Sequence, residues 1–408
     1  KKKRIKYFIK GPENEEWIKI TTATNREYLM TPTHKFMYIE EGKFKFKNAK
    51  DIKEDDKVPV LENFNFNLAT EKINLIKLFK EKLSNEEKKE IIVIDGDKKI
   101  LLSEFPLQNV KQTLYLRWKF SKYKIPAVLR IDENLMRLLG YYASEGYSRI
   151  NKWVAQVSFR ICEKDMQEHV TDLIEKVFGV KPNVAEEGSK ITICSKMVYY
   201  ILKCFNAGRG AYNKRVPSFI FGLDKELVKE YISAYFEGDG SIIKSKKITA
   251  FYSVSRNLID DIALLLAKFK IFGRYFKTDL RLPGKKVLER YKKLGKEPKK
   301  HILYHLVLGV HDSFKLGEIL HLFNKRKKEQ LVYLNPCEFR YLNYNKKQIL
   351  LKSQSDYVVD YVKKVEIINE KKNSYCVEID WKEIEDRNVL WGEQIINTRC
   401  DGDEAAIM

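Results

Sequence analysis

No stretch of the 408-residue chain approaches the unbroken apolar length that a bilayer span needs, and the basic start Lys1-Lys-Lys-Arg4 is not followed by an apolar segment. Both absences argue against membrane insertion and secretion. Cysteine is scarce. The six, at Cys162, Cys194, Cys204, Cys337, Cys376 and Cys400, form no Cys-x-x-Cys pair and no metal-finger spacing, so they suit a reducing cytoplasm and give no disulfide scaffold. Acidic residues are outnumbered, 56 against 77 basic ones, leaving a formal charge of +21. The basic residues are spread among Tyr, Phe and Trp along the whole chain, which points to a polyanionic partner, although a lysine-rich solvated surface would give the same total.

Hydrophobic residues make up 44% and aromatics 12%, enough to build packed cores. A chain this long divides into two or three domains, one of which could be inserted in another. Residues 1–61 read as short strands with turns: Trp17–Ile20, Glu27–Met30, Lys35–Ile39 and Lys57–Leu61. Residues 62–118 are mixed, with a helix expected between Glu71 and Lys89, and their pattern assigns them no role beyond a linker or accessory region. Strand character returns after about residue 355, in Tyr361–Ile368 and Tyr375–Ile379, so a second β unit could complete the first.

Between these flanks lies an internal repeat. Lys124-Ile-Pro126 leads into a helical pattern ending Leu138-Leu-Gly-Tyr-Tyr-Ala-Ser-Glu145-Gly146, and Arg215-Val-Pro217 leads into one ending Ile232-Ser-Ala-Tyr-Phe-Glu-Gly-Asp239-Gly240. Each is followed by strands and a helix, roughly an α-β-β-α unit, and two copies imply an internal pseudo-dimer. Aligning the two helices, capped by Asp132 and Asp224, matches Gly140 with Ala234, Ser144 with Gly238 and Glu145 with Asp239. Small residues four apart let two helix backbones approach. Their C-terminal ends then meet, and Gly146 and Gly240 are expected to end them in a left-handed conformation. Two facing carboxylates at negative helix ends repel each other, and divalent cations relieve that repulsion. Such a pair with few protein ligands suits Mg²⁺-assisted attack of water on a phosphodiester.

These residues resemble the paired LAGLIDADG (dodecapeptide) motifs of homing endonucleases, and the 94-residue separation of Glu145 and Asp239 is similar to that of single-chain members. The resemblance implies an α+β fold: a pseudo-two-fold endonuclease with αββαββα-like halves over residues 119–325. It implies double-stranded DNA as partner, Mg²⁺ held by Glu145 and Asp239, a monomer, and base reading by strands 153–159 and 247–252. Lys214 resembles the lysine preceding the second motif in intein-encoded members, near the scissile phosphates, and Lys124 sits in the matching segment of the first repeat. Phosphate contacts from lysines should make DNA binding steeply salt-dependent.

The flanks resemble an intein, a split all-β Hint splicing domain formed by residues 1–61 and 326–397. Thr31-Pro-Thr-His34 is similar to the threonine–histidine block, implying that His34 assists the initial acyl shift with support from Thr31. Arg387-Asn-Val-Leu-Trp-Gly392 and Ile395-Ile-Asn397-Thr398 resemble the C-terminal splicing blocks, implying that Asn397 cyclises and Thr398 accepts the acyl chain; a shifted register would use Cys400 instead. Cys376 stands where aspartate is common, and Arg387 and Ile396 where histidines are, which implies altered proton relays. The first nucleophile and first strands are expected upstream of Lys1. Residues 398–408 would be a fragment of the interrupted host protein, because Cys400-Asp-Gly-Asp-Glu404 resembles the acidic loop of the archaeal family D DNA polymerase large subunit. Two other functions fit the same residues: splicing alone with a decayed nuclease, or nucleic-acid binding without cleavage.

Overall fold

The computed structural model describes residues 5–63, 71–151, 154–185, 189–280, 301–344, 347–351, 353–354, 357–379, 390–392, 395–397 and 406–407, together with 289, 292, 293 and 295. Two hydrophobic cores divide them. One gathers Ile18, Ile20, Phe36, Val58, Val60 and Val358 inside a β-rich unit, and the other fills the repeat region.

The β-rich unit draws strands from both ends of the chain. Ile5–Thr22 lies antiparallel to Tyr357–Ile379, Glu27–Met30 pairs with the first of these, and Lys57–Leu61 pairs with the second. Their alternation of apolar and polar residues buries one face, with Ile18, Ile20 and Val58 inside. Ile395–Asn397 joins the same sheet, Asn397 opposite Phe36 and Ile395 opposite Val60. Leu61 stands directly opposite Tyr357, so the chain leaves this sheet and returns to it at adjacent points.

The repeat region consists of two copies of one unit, longer than the α-β-β-α expected from the motifs. In the first, helix Glu133–Glu145 is followed by strands Gly146–Ile150 and Ala155–Phe159, helix Lys164–Phe178, strands Asn183–Val184 and Ile191–Ile193, and helix Lys196–Cys204. In the second, Lys225–Asp239 is followed by Gly240–Ile243, Ile248–Ser253, Arg256–Ala267, Gly273–Leu280, His301–Leu308 and Val310–Ile319. Both sheets are four-stranded and antiparallel with the same order. The halves are thus αββαββα. The middle helix of each falls outside the α-β-β-α pattern, although Met166, Val170, Leu173, Ile174 and Phe178 bury one stripe of the first.

Residues 72–126 carry the expected helix in two pieces, Leu75–Lys82 and Asn85–Lys89, broken where Ser84 begins a new capping box. A four-stranded sheet follows that takes in Ile125–Pro126, and Leu75, Phe79, Leu116 and Ile125 share the core of the repeat region.

Candidate functional site

The two motif helices are side by side because their facing residues are small. A Cβ on Gly140 would lie 2.5 Å from the Tyr231 carbonyl oxygen and 2.8 Å from the Ala234 Cβ. On Gly238 it would lie 2.5 Å from the Ser144 Cβ and 3.2 Å from the Glu145 Cγ. Gly140 with Ala234 and Ser144 with Gly238 are therefore contact pairs, in keeping with their alignment. Asp132 and Asp224 cap the helices, accepting from the Leu135 and Leu227 amides at 3.0 Å each.

At the other end the glycines differ from expectation. Gly146 (φ −81°) and Gly240 (φ −96°) are extended rather than left-handed, and each helix runs directly into a strand. Their small size answers a different demand: a Cβ would stand 2.5 Å from the Tyr142 carbonyl oxygen in one case and 2.6 Å from the Phe236 carbonyl oxygen in the other. Lysines add to the hydrogen bonding at these helix ends, where the Gly146 and Gly240 amides already donate to the Tyr142 and Phe236 carbonyls. Lys214 donates to the Tyr142 carbonyl, with its ammonium 3.5 Å from the Tyr142 ring centroid. Lys327 donates to the carbonyls of Phe236 (2.8 Å), Glu237 (2.7 Å), Gly238 (3.2 Å) and Gly240 (2.7 Å).

Tyr142 and Phe236 are equivalent in the repeat, so Lys214 and Lys327 are a symmetry-related pair. The sequence motifs do not single out Lys327, and Lys124 does not fill its place. Each half begins with its motif helix and ends with the segment bearing its lysine, so the partner of Lys214 follows the second half. Lys124 is exposed on the accessory sheet, its ammonium 4.2 Å from the Tyr115 ring centroid. The sequence does hold a trace, since Asn213-Lys214-Arg215 recurs as Asn324-Lys325-Arg326. That trace indicates Lys325, which is exposed, whereas Lys327 is buried.

Glu145 and Asp239 lie between these lysines. Burial, then the facing Glu145, pushes the Asp239 carboxyl up to about 7 against the opposing pull of Lys327 and Lys214. Glu145 is raised by burial and by Glu163. Burial likewise lowers Lys214 to about 7 and Lys327 to about 8, although both face the two carboxylates. A cleft of about 270 Å³, lined in part by Glu145, Arg160, Glu163 and Gly238, opens beside them. Two carboxylates whose repulsion no hydrogen bond among the described residues relieves fit a divalent cation. Among the described residues no group of three or more His, Cys, Asp or Glu side chains surrounds them, so water and phosphate oxygens would complete such a shell.

Beneath the site a buried charge network fixes the helix pair. Arg137 donates to Glu230 and Glu237 at 2.8 Å each, crossing from the first motif helix to the second, and to the Tyr141 hydroxyl at 2.9 Å. Glu237 also accepts from the backbone amides of Phe323 and Asn324, which holds the segment carrying Lys327. His169 stacks on Phe323 with centroids 4.0 Å apart and accepts from Arg137 Nε at 3.3 Å. The motif alignment gives no sign of Glu237, whose counterpart is Ala143.

The second group of expected residues lies in the β-rich unit. Thr31 and His34 are buried on one turn, where the His34 amide donates to the Thr31 carbonyl at 3.1 Å. The Thr31 hydroxyl is buried with no hydrogen-bond partner among the described residues. His34 is two residues from Phe36, which pairs with Asn397, so the backbones of these expected splicing residues converge. Thr398, Cys400 and Arg387 lie outside the described residues, as do the side chains of Cys376, Ile396 and Asn397.

A two-fold pseudo-symmetric α+β unit with a paired-carboxylate seam, interrupting a β domain assembled from both chain ends, is the arrangement of an endonuclease-bearing splicing element. A family model described as the intein splicing domain matches residues 1–388, and the chain belongs to that family. It is 30% identical over 439 residues to the DNA polymerase II large subunit of Thermococcus kodakarensis, covering 99% of this chain and 23% of that protein. It is 26% identical over 327 residues to the DNA-directed RNA polymerase subunit Rpo1C of Methanocaldococcus jannaschii, covering 76% of this chain and 34% of that protein. The chain thus spans between 23% and 34% of the length of these relatives. Among solved structures it is similar to the homing endonuclease I-DmoI in complex with DNA and Mn, with 13% identity and a TM-score of 0.32 over 47% of this chain and 97% of that one. No helix among the described residues is long and apolar enough to cross a membrane.

Proposed function

We propose that the chain is an intein carrying a homing endonuclease that cuts both strands of a DNA duplex at the uninterrupted host gene, acting as a cytoplasmic monomer. The observation that carries this reading is the symmetric seam: one carboxylate and one buried lysine from each half, at the ends of two helices packed backbone to backbone. Glu145 and Asp239 would hold divalent cations, Mg²⁺ by preference, which supply charge neutralisation at the phosphate and an activated water. Lys214 and Lys327, each shifted close to neutrality, are able to take or give a proton beside the reacting phosphates. The outer faces of the two sheets would lie in the major groove. In the β-rich unit His34 would assist the first acyl shift, with Thr31 beside it, and Asn397 would cyclise to release the downstream segment.

A supercoiled plasmid bearing the uninterrupted polymerase large-subunit gene tests the nuclease. Linear product with Mg²⁺, abolished in Glu145→Gln and Asp239→Asn while a band shift persists, is the expected result. A band shift without nicking from the unaltered chain would instead assign it to nucleic-acid binding alone. Splicing is tested by expressing the chain with its upstream segment and weighing the ligated product, which should disappear in Asn397→Ala.

A further inference from the structure

The two sheets are copies of one unit, yet their outer faces are chemically unlike. In the first, Tyr147 stands opposite Ser158, Arg149 opposite Gln156, and Ser158 opposite Thr192. Paired residues share a face of a sheet, so one surface presents five hydrogen-bonding side chains. Arg149 Nε donates to Gln156 Oε1 at 2.6 Å, and the Ser158 and Thr192 hydroxyls are 3.2 Å apart. In the second, Ser241 stands opposite Ala250, Ile243 opposite Ile248, and Ala250 opposite Val307.

Register therefore equates Arg149, Gln156, Ser158 and Thr192 with Ile243, Ile248, Ala250 and Val307. Every hydrogen-bonding position of the first face except that of Tyr147 is aliphatic in the second. Phe276 extends the second face and is 45% exposed. Polar side chains on the second face lie beside this aliphatic patch: the Ser241 hydroxyl donates to the Tyr252 oxygen at 3.2 Å, Arg274 turns to the Tyr341 carbonyl, and His305, opposite Tyr252 and Phe276, has a buried Nε2 without a hydrogen-bond partner among the described residues.

Resting on the DNA-cleaving reading above, we propose that the two half-sites are recognised by different chemistry. The first sheet reads base edges through hydrogen bonds from Arg149 and Gln156. The second reads thymine through its 5-methyl group, against Ile243, Ile248 and Val307. Among major-groove features only that methyl is apolar, and it is the complement of an aliphatic face.

The target sequence emerges from the test itself. Duplexes bound by the full chain in EDTA are enriched from a randomised pool, and the winner is remade with deoxyuridine for thymidine on one side of its centre at a time. Deoxyuridine differs only by the missing methyl. One side should lose about fourfold in affinity per contacted thymine, and the other should be unaffected. Arg149→Ala should relax base preference on the unaffected side only, and the near-isosteric Val307→Thr should blunt the deoxyuridine effect without unfolding the sheet. Equal sensitivity of both sides, or both perturbations falling on the same side, overturns the inference while leaving DNA binding intact. Failure to enrich any duplex overturns the DNA reading and this inference with it.

Discussion

At the scale of single residues, Lys214 and Lys327 combine two roles that can be separated. As donors to the last carbonyls of the motif helices they cap those helices, and as buried amines beside Glu145 and Asp239 they are placed to handle protons. If each lysine serves one strand, as proposed, Lys214→Met and Lys327→Met should each slow cleavage on the order of a hundredfold, with nicked plasmid accumulating. A purely capping role would lower the melting midpoint and produce no nicked intermediate. His169 gives a different readout. Burial, then Arg137, holds its imidazole down at about 4, and its Nε2 must stay unprotonated to accept from Arg137. The unfolded chain binds that proton near 6.5 and the folded one near 4, so stability should fall as pH drops through this window. His169→Phe, which keeps the stacking on Phe323, should flatten that part of the pH profile of the unfolding midpoint.

At the scale of elements, the motif helices are held by what their interface lacks. A methyl on Gly140 would collide with the backbone of Tyr231, which cannot rotate away as a side chain can. Gly140→Ala should therefore cost about 1–3 kcal/mol, read as a lower unfolding midpoint in denaturant, and should weaken DNA cleavage by parting the carboxylates. Much of this seam is legible in the sequence: matched small residues, matched acids and N-terminal caps are local patterns. The glycines after the acids depart from expectation because helix-ending glycine is usually left-handed, and only the tertiary packing shows Tyr142 and Phe236 crowding them. Lys327 is hidden for a related reason. Burial chooses it over Lys325, and burial is a property of the fold. The full length of the first half is obscured by the strand Asn183–Val184, which has two exposed residues and no alternation to read.

For the whole molecule, a buried ionic cluster joins the β-rich unit to the second half of the repeat. Arg340 forms a two-pronged pair with Asp312, at 2.7 Å for each contact, and reaches Glu62 at 2.8 Å. Asp312 also accepts from the Phe272 amide at 2.8 Å, and Phe272 belongs to the core of the β-rich unit. Nearby, Asn25 donates to the Tyr275 carbonyl at 2.8 Å and the Tyr275 amide donates to the Thr24 carbonyl at 3.0 Å. Arg340→Met would remove the cation that faces two buried carboxylates, a loss of about 3–5 kcal/mol. The expected outcome is a split thermal transition, with the β-rich unit and the repeat region melting separately in calorimetry. None of this cluster is visible in the sequence, because its members come from residues 62, 312 and 340 and follow no periodicity.

Leu61 and Tyr357 face one another across a single ladder rung. Everything between them leaves and re-enters the sheet at this rung, although Phe272, Leu342 and Leu351 pack back into its core. A two-residue turn of the Asn-Gly kind spans the same gap. A gene shortened in that way should still encode a closed sheet, so this rung marks where a mobile passenger could be gained or shed without unravelling its carrier.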